Sequence, residues 1–172
     1  MASNTFEAIA TVTVGSGGAN AIDFTSIPQT YTDLNIKISS RATGSAVSWN
    51  FKITFNGASS GYSGKILYGS GSAAASFNGN SSFFDGIYMS GATATANTFG
   101  TVDLYIPNYA GSNYKSISTD SAAESNATAV FMSIQAGLYS STSAITSIKI
   151  QAEPTSDLAE HSTATLYGIK NS

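Results

Sequence analysis

The first residue to test for catalysis is the single histidine, His161. Asp157 and Glu160 lie close to it in the chain, so a hydrolase interpretation makes His161 a general base that one of these carboxylates orients. The nucleophile of such an enzyme sits in a Gly-x-Ser-x-Gly elbow that a helix follows. We find no serine in that context, and serine is so common here that one near a histidine is expected by chance. An exposed loop histidine is the favoured interpretation.

Pairs of acidic residues raise the alternatives of glycosidase chemistry and metal binding. Asp85 and Asp103 are the most notable carboxylates, but neither lies in an aromatic-rich motif of the kind that raises the pKa of a catalytic acid. Residues 78–80, and Asp120 with Glu124, are weak calcium candidates because the close spacing of a calcium loop is missing. One histidine and no cysteine make zinc improbable. We therefore expect no enzyme activity, no metal and no cofactor.

A glycine-rich stretch near the N-terminus has the composition of a phosphate-binding loop. Residues 15–18 read GSGG, but no Lys-Ser or Lys-Thr follows and no helix begins there. We interpret the stretch as a hairpin turn.

Aromatic residues offer a further kind of site, a flat platform for a glycan. Trp49 alternates with apolar neighbours and belongs to the predicted core. Tyr62, Tyr68, Tyr109 and Tyr139 fall in or near predicted turns, so we take them as candidate exposed contacts for a glycan or for another protein surface. Packing and oligomer contacts are the competing interpretation.

Composition limits the classes of partner. Only 10% of residues are charged, and the seven basic residues are scattered, so phosphate-backbone binding lacks its usual basis and we expect no nucleic acid partner. The first residues lack a charged segment followed by an apolar core, and no apolar run reaches the ~20 residues of a membrane span, so we expect no membrane partner. We expect synthesis in a cytoplasm. A surface rich in Ser, Thr, Asn and Ala must follow.

Alternation of apolar and polar residues with a period of two runs through most of the chain and predicts half-buried strands. The clearest case has five large apolar residues on one face, Val47, Trp49, Phe51, Ile53 and Phe55, and ends at an Asn-Gly turn signal. Residues 130–138 alternate as well, which favours a strand over the helix that 120–124 could begin. Residues 69–75 indicate a flexible loop.

These segments predict one all-β domain over residues 1–172. About ten short strands, at the spacing typical of sandwiches and barrels, favour a two-sheet antiparallel β-sandwich of jelly-roll type.

Several segments together resemble a small β-rich domain of tailed-phage virion proteins, of the kind found in cyanobacterial and aquatic phages. The most distinctive is ANTFGTVDLYIPNY at 96–109, joined by YKSIS at 114–118 and STATLYGIK at 162–170. IATVTVG at 9–15 and YTDL at 31–34 fit the same pattern. The resemblance spans almost the full length, but rests on strand and turn residues.

This resemblance implies a virion structural role. Strand patterning begins at Phe6 and leaves little chain for a tail anchor, so we expect a standalone head decoration (cement) protein on the capsid surface. Its partner would be the major capsid protein, and the chain would form a homo-oligomer, a trimer or a dimer. The alternative is a host-recognition or adhesin module of a tail fibre or spike that binds surface glycan.

Overall fold

A computed structural model of the chain describes residues 5–71, 73–126, 129–153 and 156–170. These residues form twelve strands and contain no helix. The strands are β1 Phe6–Thr13, β2 Ala21–Phe24, β3 Asp33–Ser40, β4 Ser48–Phe55, β5 Tyr62–Ser70, β6 Ala73–Asn78, β7 Tyr88–Ser90, β8 Gly100–Ile106, β9 Lys115–Ser125, β10 Ala129–Tyr139, β11 Ile148–Glu153 and β12 Thr163–Ile169.

The strands are arranged in two antiparallel sheets. The larger has eight strands in the order β1-β12-β3-β8-β9-β10-β5-β6, and the smaller has four in the order β2-β11-β4-β7. The chain moves back and forth between the sheets, so that most strands pair with strands distant in sequence. The prediction of an all-β, sandwich-like protein with two antiparallel sheets is confirmed, while the count of about ten strands is too low.

The inward faces of the two sheets enclose one hydrophobic core. Phe51, Ile53 and Phe55 of β4 are fully buried, as the alternation predicted. Leu34 and Ile36 of β3 are also fully buried and belong to the same cluster from the opposite sheet. Burying each such side chain contributes roughly 1.5–3 kcal/mol, so this shared cluster is what holds the sheets together.

Two local predictions are wrong. The GSGG stretch at 15–18 is a turn, but it joins strands of different sheets, because β1 pairs with β12 while β2 pairs with β11. It is therefore not a hairpin turn. Residues 69–75 are mostly strand rather than flexible loop, since β5 reaches Ser70 and β6 starts at Ala73. The pairing of β5 with β6 orders the small residues that resembled a linker.

Strand β10 orients its side chains in an unexpected way. The strand itself is confirmed at Ala129–Tyr139. However, Met132 and Ile134, on the aliphatic side of the strand, are 49% and 46% exposed. Ser133 and Gln135, on the side that faces the small sheet, are buried. The aliphatic side of β10 therefore faces away from the core.

Candidate functional site

Contacts on the inward side of β10 determine which way the strand faces. The Tyr139 ring stacks on Tyr62 with 4.9 Å between ring centroids. A Cβ at Gly137 would come within 2.6 Å of the Phe84 ring, so only glycine fits there. The Ser133 hydroxyl donates to the Gly86 carbonyl oxygen at 2.6 Å. A shift of one residue would break all three contacts, because the side-chain period of a strand is two.

The outer surface of β9, β10, β5 and β6 is the largest exposed apolar feature of the described residues, and we call it the apolar half-face. Five of the seven large hydrophobic residues that are exposed among the described residues lie on it. They are Leu67, Val130, Met132, Ile134 and Leu138. Soluble monomers rarely expose contiguous apolar patches of more than a few hundred Å² unless the patch binds something.

Two charges of opposite sign border the apolar half-face. Lys65 on β5 lies beside Ala136, and Asp120 on β9 lies beside Ile134, so the charges flank β10 on opposite sides. Lys65 Nζ donates to Asn78 Oδ1 at 3.1 Å. Asp120 lies across from Asp103, a like charge, which is unfavourable for directly opposed residues.

The other half of the same outer surface, on β1, β12, β3 and β8, is polar, and we call it the polar half-face. Thr11 and Thr165 share a hydrogen bond of 3.0 Å between their hydroxyls. Lys37 forms an ion pair with Asp103. At one corner, Phe6 lies against the Tyr167 ring with centroids 4.6 Å apart, which covers part of its apolar surface.

The histidine is on the surface, in the loop before β12. The His161 side chain is 77% exposed, and its Nε2 lies 3.8 Å from a carboxylate oxygen of Glu160. Asp157 is also exposed. Sequence reasoning passed over Ser59, which has Gly-x-Ser-x-Gly spacing at 57–61. Ser59 is exposed in the turn between β4 and β5, and a strand follows it rather than a helix.

The remaining candidate carboxylates have structural partners. Asp103 lies on the outer face and is paired with Lys37. Asp85 Oδ1 accepts a hydrogen bond from the backbone N–H of Asn80 at 2.9 Å, which orders the loop after β6. Glu124 accepts bonds from the Thr95 N–H at 3.0 Å and from the Thr95 hydroxyl at 2.7 Å. Each carboxylate is thus tied to a loop or a strand neighbour.

Metal-ligating side chains do not cluster in the part of the chain that the structure describes. No group of three or more His, Cys, Asp or Glu residues stands close enough there to hold an ion. Residues 78–80 end β6 and begin the following loop, where Asn80 Oδ1 accepts from the Ser82 N–H at 2.8 Å.

Three of the four candidate contact tyrosines are buried, so the prediction that they are exposed is wrong for these three. Tyr62, Tyr109 and Tyr139 are 4%, 0% and 5% exposed. Burial raises the pKa of the Tyr62 hydroxyl to about 12, although its hydrogen bond with the Phe55 backbone opposes the rise. Their neighbouring turns suggested exposure, but the aromatic rings point into the core. Tyr68 is partly exposed.

Tyr68 belongs to a cluster of four partly exposed rings, which we call the aromatic cluster; Tyr68, Phe77 and Phe131 lie on the inward side of the large sheet, and Tyr88 lies on β7 of the small sheet. The centroid of the Tyr68 ring lies 5.7 Å from that of Phe77 and 6.4 Å from that of Tyr88. Tyr88 in turn stacks on Phe131 at 5.6 Å. Burial raises the pKa of the Tyr88 hydroxyl, and the nearby Tyr68 and Asp85 add to the rise.

One buried cation lies outside these surfaces. Lys115, at the start of β9, is fully buried, and its Nζ donates to the carbonyl oxygens of Gly111 at 2.7 Å and Asn113 at 2.6 Å. Burial lowers the pKa of the ammonium group. The carbonyl partners compensate the charge, so Lys115 fixes the 111–113 turn.

Comparison with known proteins yields no match to a family model, to a curated protein or to a solved structure. Among the described residues, no helix is long and apolar enough to span a membrane. The site therefore has to be interpreted from its own geometry. The apolar half-face could not be expected from the sequence, because alternation favours burial of the aliphatic side of β10.

Proposed function

We propose that the chain is a non-catalytic assembly protein of a virion, a head decoration protein that binds the outside of the major capsid protein lattice and stabilises the head. The observation that carries this proposal is the apolar half-face. An aliphatic surface on a regular sheet suits the protein–protein contacts of an assembly protein, whether with a second copy or with the capsid, and its desolvation is favourable at roughly 25 cal/mol per Å². The resemblance to tailed-phage virion domains directs the proposal to a capsid.

The polar surfaces suit the same role. Charged residues make up 10% of the chain, so most of its surface is hydroxyl, amide and methyl groups. Such a surface can be desolvated against a lattice without leaving unpaired charges buried, which would be costly. Many weak contacts per particle, made by an oligomer, would then add up through avidity.

A jelly-roll topology is part of this proposal, and the order of the strands supports it. The small sheet takes the second, eleventh, fourth and seventh strands. In the large sheet, β3 is followed by β8, β9 and β10 and then by β5 and β6. If β8–β10 are counted as one strand, β3, β8–β10, β5 and β6 form one four-stranded set and the small sheet forms the other. This order is compatible with the two interleaved sheets of a jelly roll. Jelly rolls occur in viral capsid proteins and in lectins, so the topology agrees with either candidate function without choosing between them.

Copy number per particle tests the proposal directly. Quantitative mass spectrometry of purified particles of the virus that encodes the chain should give hundreds of copies, because a decoration protein follows the lattice. Particles that lack the protein should still adsorb to cells but release DNA at a lower temperature. A few copies per particle would indicate a tail location, and none would exclude a virion role.

The second candidate function is a glycan-binding adhesin module, and the aromatic cluster favours it. Half-exposed rings of Tyr68, Tyr88 and Phe131 offer apolar surface next to hydroxyl groups, a combination that suits sugar recognition. Reproducible binding on a glycan array that is lost in Tyr88→Ala would support this function. Tyr114→Ala is the matched control, because Tyr114 is 56% exposed and lies in the turn before β9.

A further inference from the structure

We propose that the apolar half-face binds a second copy of this chain, so that two large sheets pack face to face around a two-fold axis. The inference rests on the proposed assembly role and specifies the partner of its main surface. It differs from the capsid contact, which would then use the polar surfaces.

The shape of the apolar half-face fits another sheet. Strands β9 and β10 pair over eleven residues, and β10 and β5 over nine, without a register shift. The aliphatic residues of β10 are bordered by small side chains on the neighbouring strands, such as Ser116, Ser118 and Ala122. Sheet faces with a regular register pack about 10 Å apart in β-sandwiches, with their strands nearly aligned.

The charges at the border favour a second copy over an unrelated partner. A two-fold axis that lies in the interface along β10 brings β5 of each copy over β9 of the other. Lys65 of one copy then lies over the stretch from Ser118 to Asp120 of the other, since Lys65 and Ser118 both lie beside Ala136. Because of the two-fold symmetry this contact occurs twice, so each Lys65 lies near the Asp120 of the other copy.

Asp120 has a reason to accept such a cation. It lies across from Asp103, whose own cation partner is Lys37. Two adjacent carboxylates with one lysine leave a local excess of negative charge on that side of the apolar half-face. Lys65 from a second copy neutralises this excess, whereas an unrelated apolar surface would bury Asp120 without a partner at considerable cost.

The area is sufficient for a dimer of moderate affinity. With the axis along β10, β6 of each copy lies over β8 of the other, so five strands overlap. Five strands about 4.8 Å apart, each contributing about eight residues of about 3.4 Å, cover roughly 650 Å² per copy. Mutual burial is then about 1,300 Å² in total, which is near the lower end of the range for a specific interface. We therefore expect a dimer that forms at micromolar concentrations.

Sedimentation velocity of the full chain, from about 1 to 100 µM, tests this inference. The wild-type protein should shift from monomer to dimer. Ile134→Lys should raise the dimer dissociation constant by at least about tenfold, because the axis along β10 brings the two introduced ammonium groups, one from each copy, against each other. Thr165→Lys is the matched control in the same row of the sheet, on the polar half-face, and should leave the dissociation constant unchanged. Circular dichroism and chemical unfolding establish that both variants are folded.

A charge exchange tests the symmetry. Lys65→Asp should weaken the dimer, and adding Asp120→Lys should restore it, because the exchange rebuilds both intermolecular pairs. A wild-type chain that stays monomeric throughout, or a dimer that Ile134→Lys and Thr165→Lys affect equally, would overturn the inference. A monomer whose Ile134→Lys variant no longer binds capsids would also overturn it, while supporting the decoration role. A dimer from a chain that is absent from virions would support the inference and refute that role.

Discussion

The two halves of the outer face of the large sheet share one antiparallel backbone and have opposite surface chemistry. A single row across the sheet contains both, in the order Thr11, Thr165, Lys37, Asp103, Asp120, Ile134, Leu67 and Ser76. On the polar half-face, neighbours in the row satisfy one another through a hydroxyl pair and an ion pair. On the apolar half-face, Ile134 and Leu67 are about half exposed.

Burial within a single chain therefore does not explain the aliphatic residues on the outer side of β10. Both halves bury their inward sides, but only the polar half-face has an outer surface that water solvates well. The aliphatic side of β10 contributes little to the stability of the isolated chain, because it stays in water. Under the dimer that we propose, it would contribute when a second copy covers it.

The largest expected effect separates the two sides of β10. Tyr139→Ala should lower the free energy of unfolding by about 3–5 kcal/mol, because it removes a buried ring that packs on Tyr62 and Phe55. Leu138→Ala, one residue away on the outer side, should cost less than about 1 kcal/mol in the monomer. Urea unfolding at low protein concentration measures both. Equal costs would mean that β10 faces the other way.

Alkaline pH should weaken the packing beneath the apolar half-face. The pKa of Tyr62 is about 12 in the folded chain and about 10 when it is unfolded. Between these values the unfolded chain loses the proton while the folded chain keeps it, so the free energy of unfolding falls as pH rises from 10 towards 12. The loss is on the order of 2 kcal/mol from this group.

Tyr62→Phe tests this assignment. At neutral pH the variant should be less stable by about 1–3 kcal/mol, because the Phe55 N–H loses its acceptor at 2.8 Å. Above pH 10 its stability should fall less steeply than that of the wild type in denaturant titrations. Parallel pH profiles for the two proteins would contradict the role of Tyr62.

Glycine-to-alanine substitutions on β10 and β5 compare the inward side of the large sheet with its outer side. Gly137→Ala should cost about 1–3 kcal/mol, because its Cβ would overlap the Phe84 and Ile117 side chains at 2.6 and 2.7 Å. Gly69→Ala should be neutral or slightly stabilising, since its Cβ would make an ordinary 3.5 Å contact with Met132 on the outer side. Thermal unfolding of the two variants measures both changes in stability. A Gly137→Ala variant as stable as the wild type would contradict the close packing of β10.

The smallest effect concerns the polar half-face. Lys37→Ala should cost at most about 1 kcal/mol, because the Lys37 side chain is 52% exposed and water screens its pair with Asp103. The difference from wild type should shrink further in 1 M salt, where screening acts within about 3 Å. A loss of stability that stays the same in about 1 M salt would show that the Lys37–Asp103 pair is far less solvated than its exposure indicates.

Much of the fold could be predicted because strand periodicity is a local signal. Phe51, Ile53 and Phe55 alternate with polar residues, and any sheet that accepts them must bury that side. The stretch at 69–75 could not be assigned correctly, because its small residues gain strand structure only through pairing with β10 and with each other. The exposure of Tyr62, Tyr109 and Tyr139 was mispredicted for a related reason. A turn nearby says nothing about where a ring points.

Local sequence patterns were enough to predict the fold class, the buried side of β4 and the lack of a serine elbow followed by a helix, because each depends on residues a few positions apart. The side of β10 that faces the core depends on contacts with distant parts of the chain, which only the tertiary structure reveals. Alternation alone would bury the aliphatic side of that strand. The observed orientation depends on Phe84, Tyr62 and Gly86, which lie about 50 to 80 residues away in the chain. The apolar half-face is a consequence of those long-range contacts.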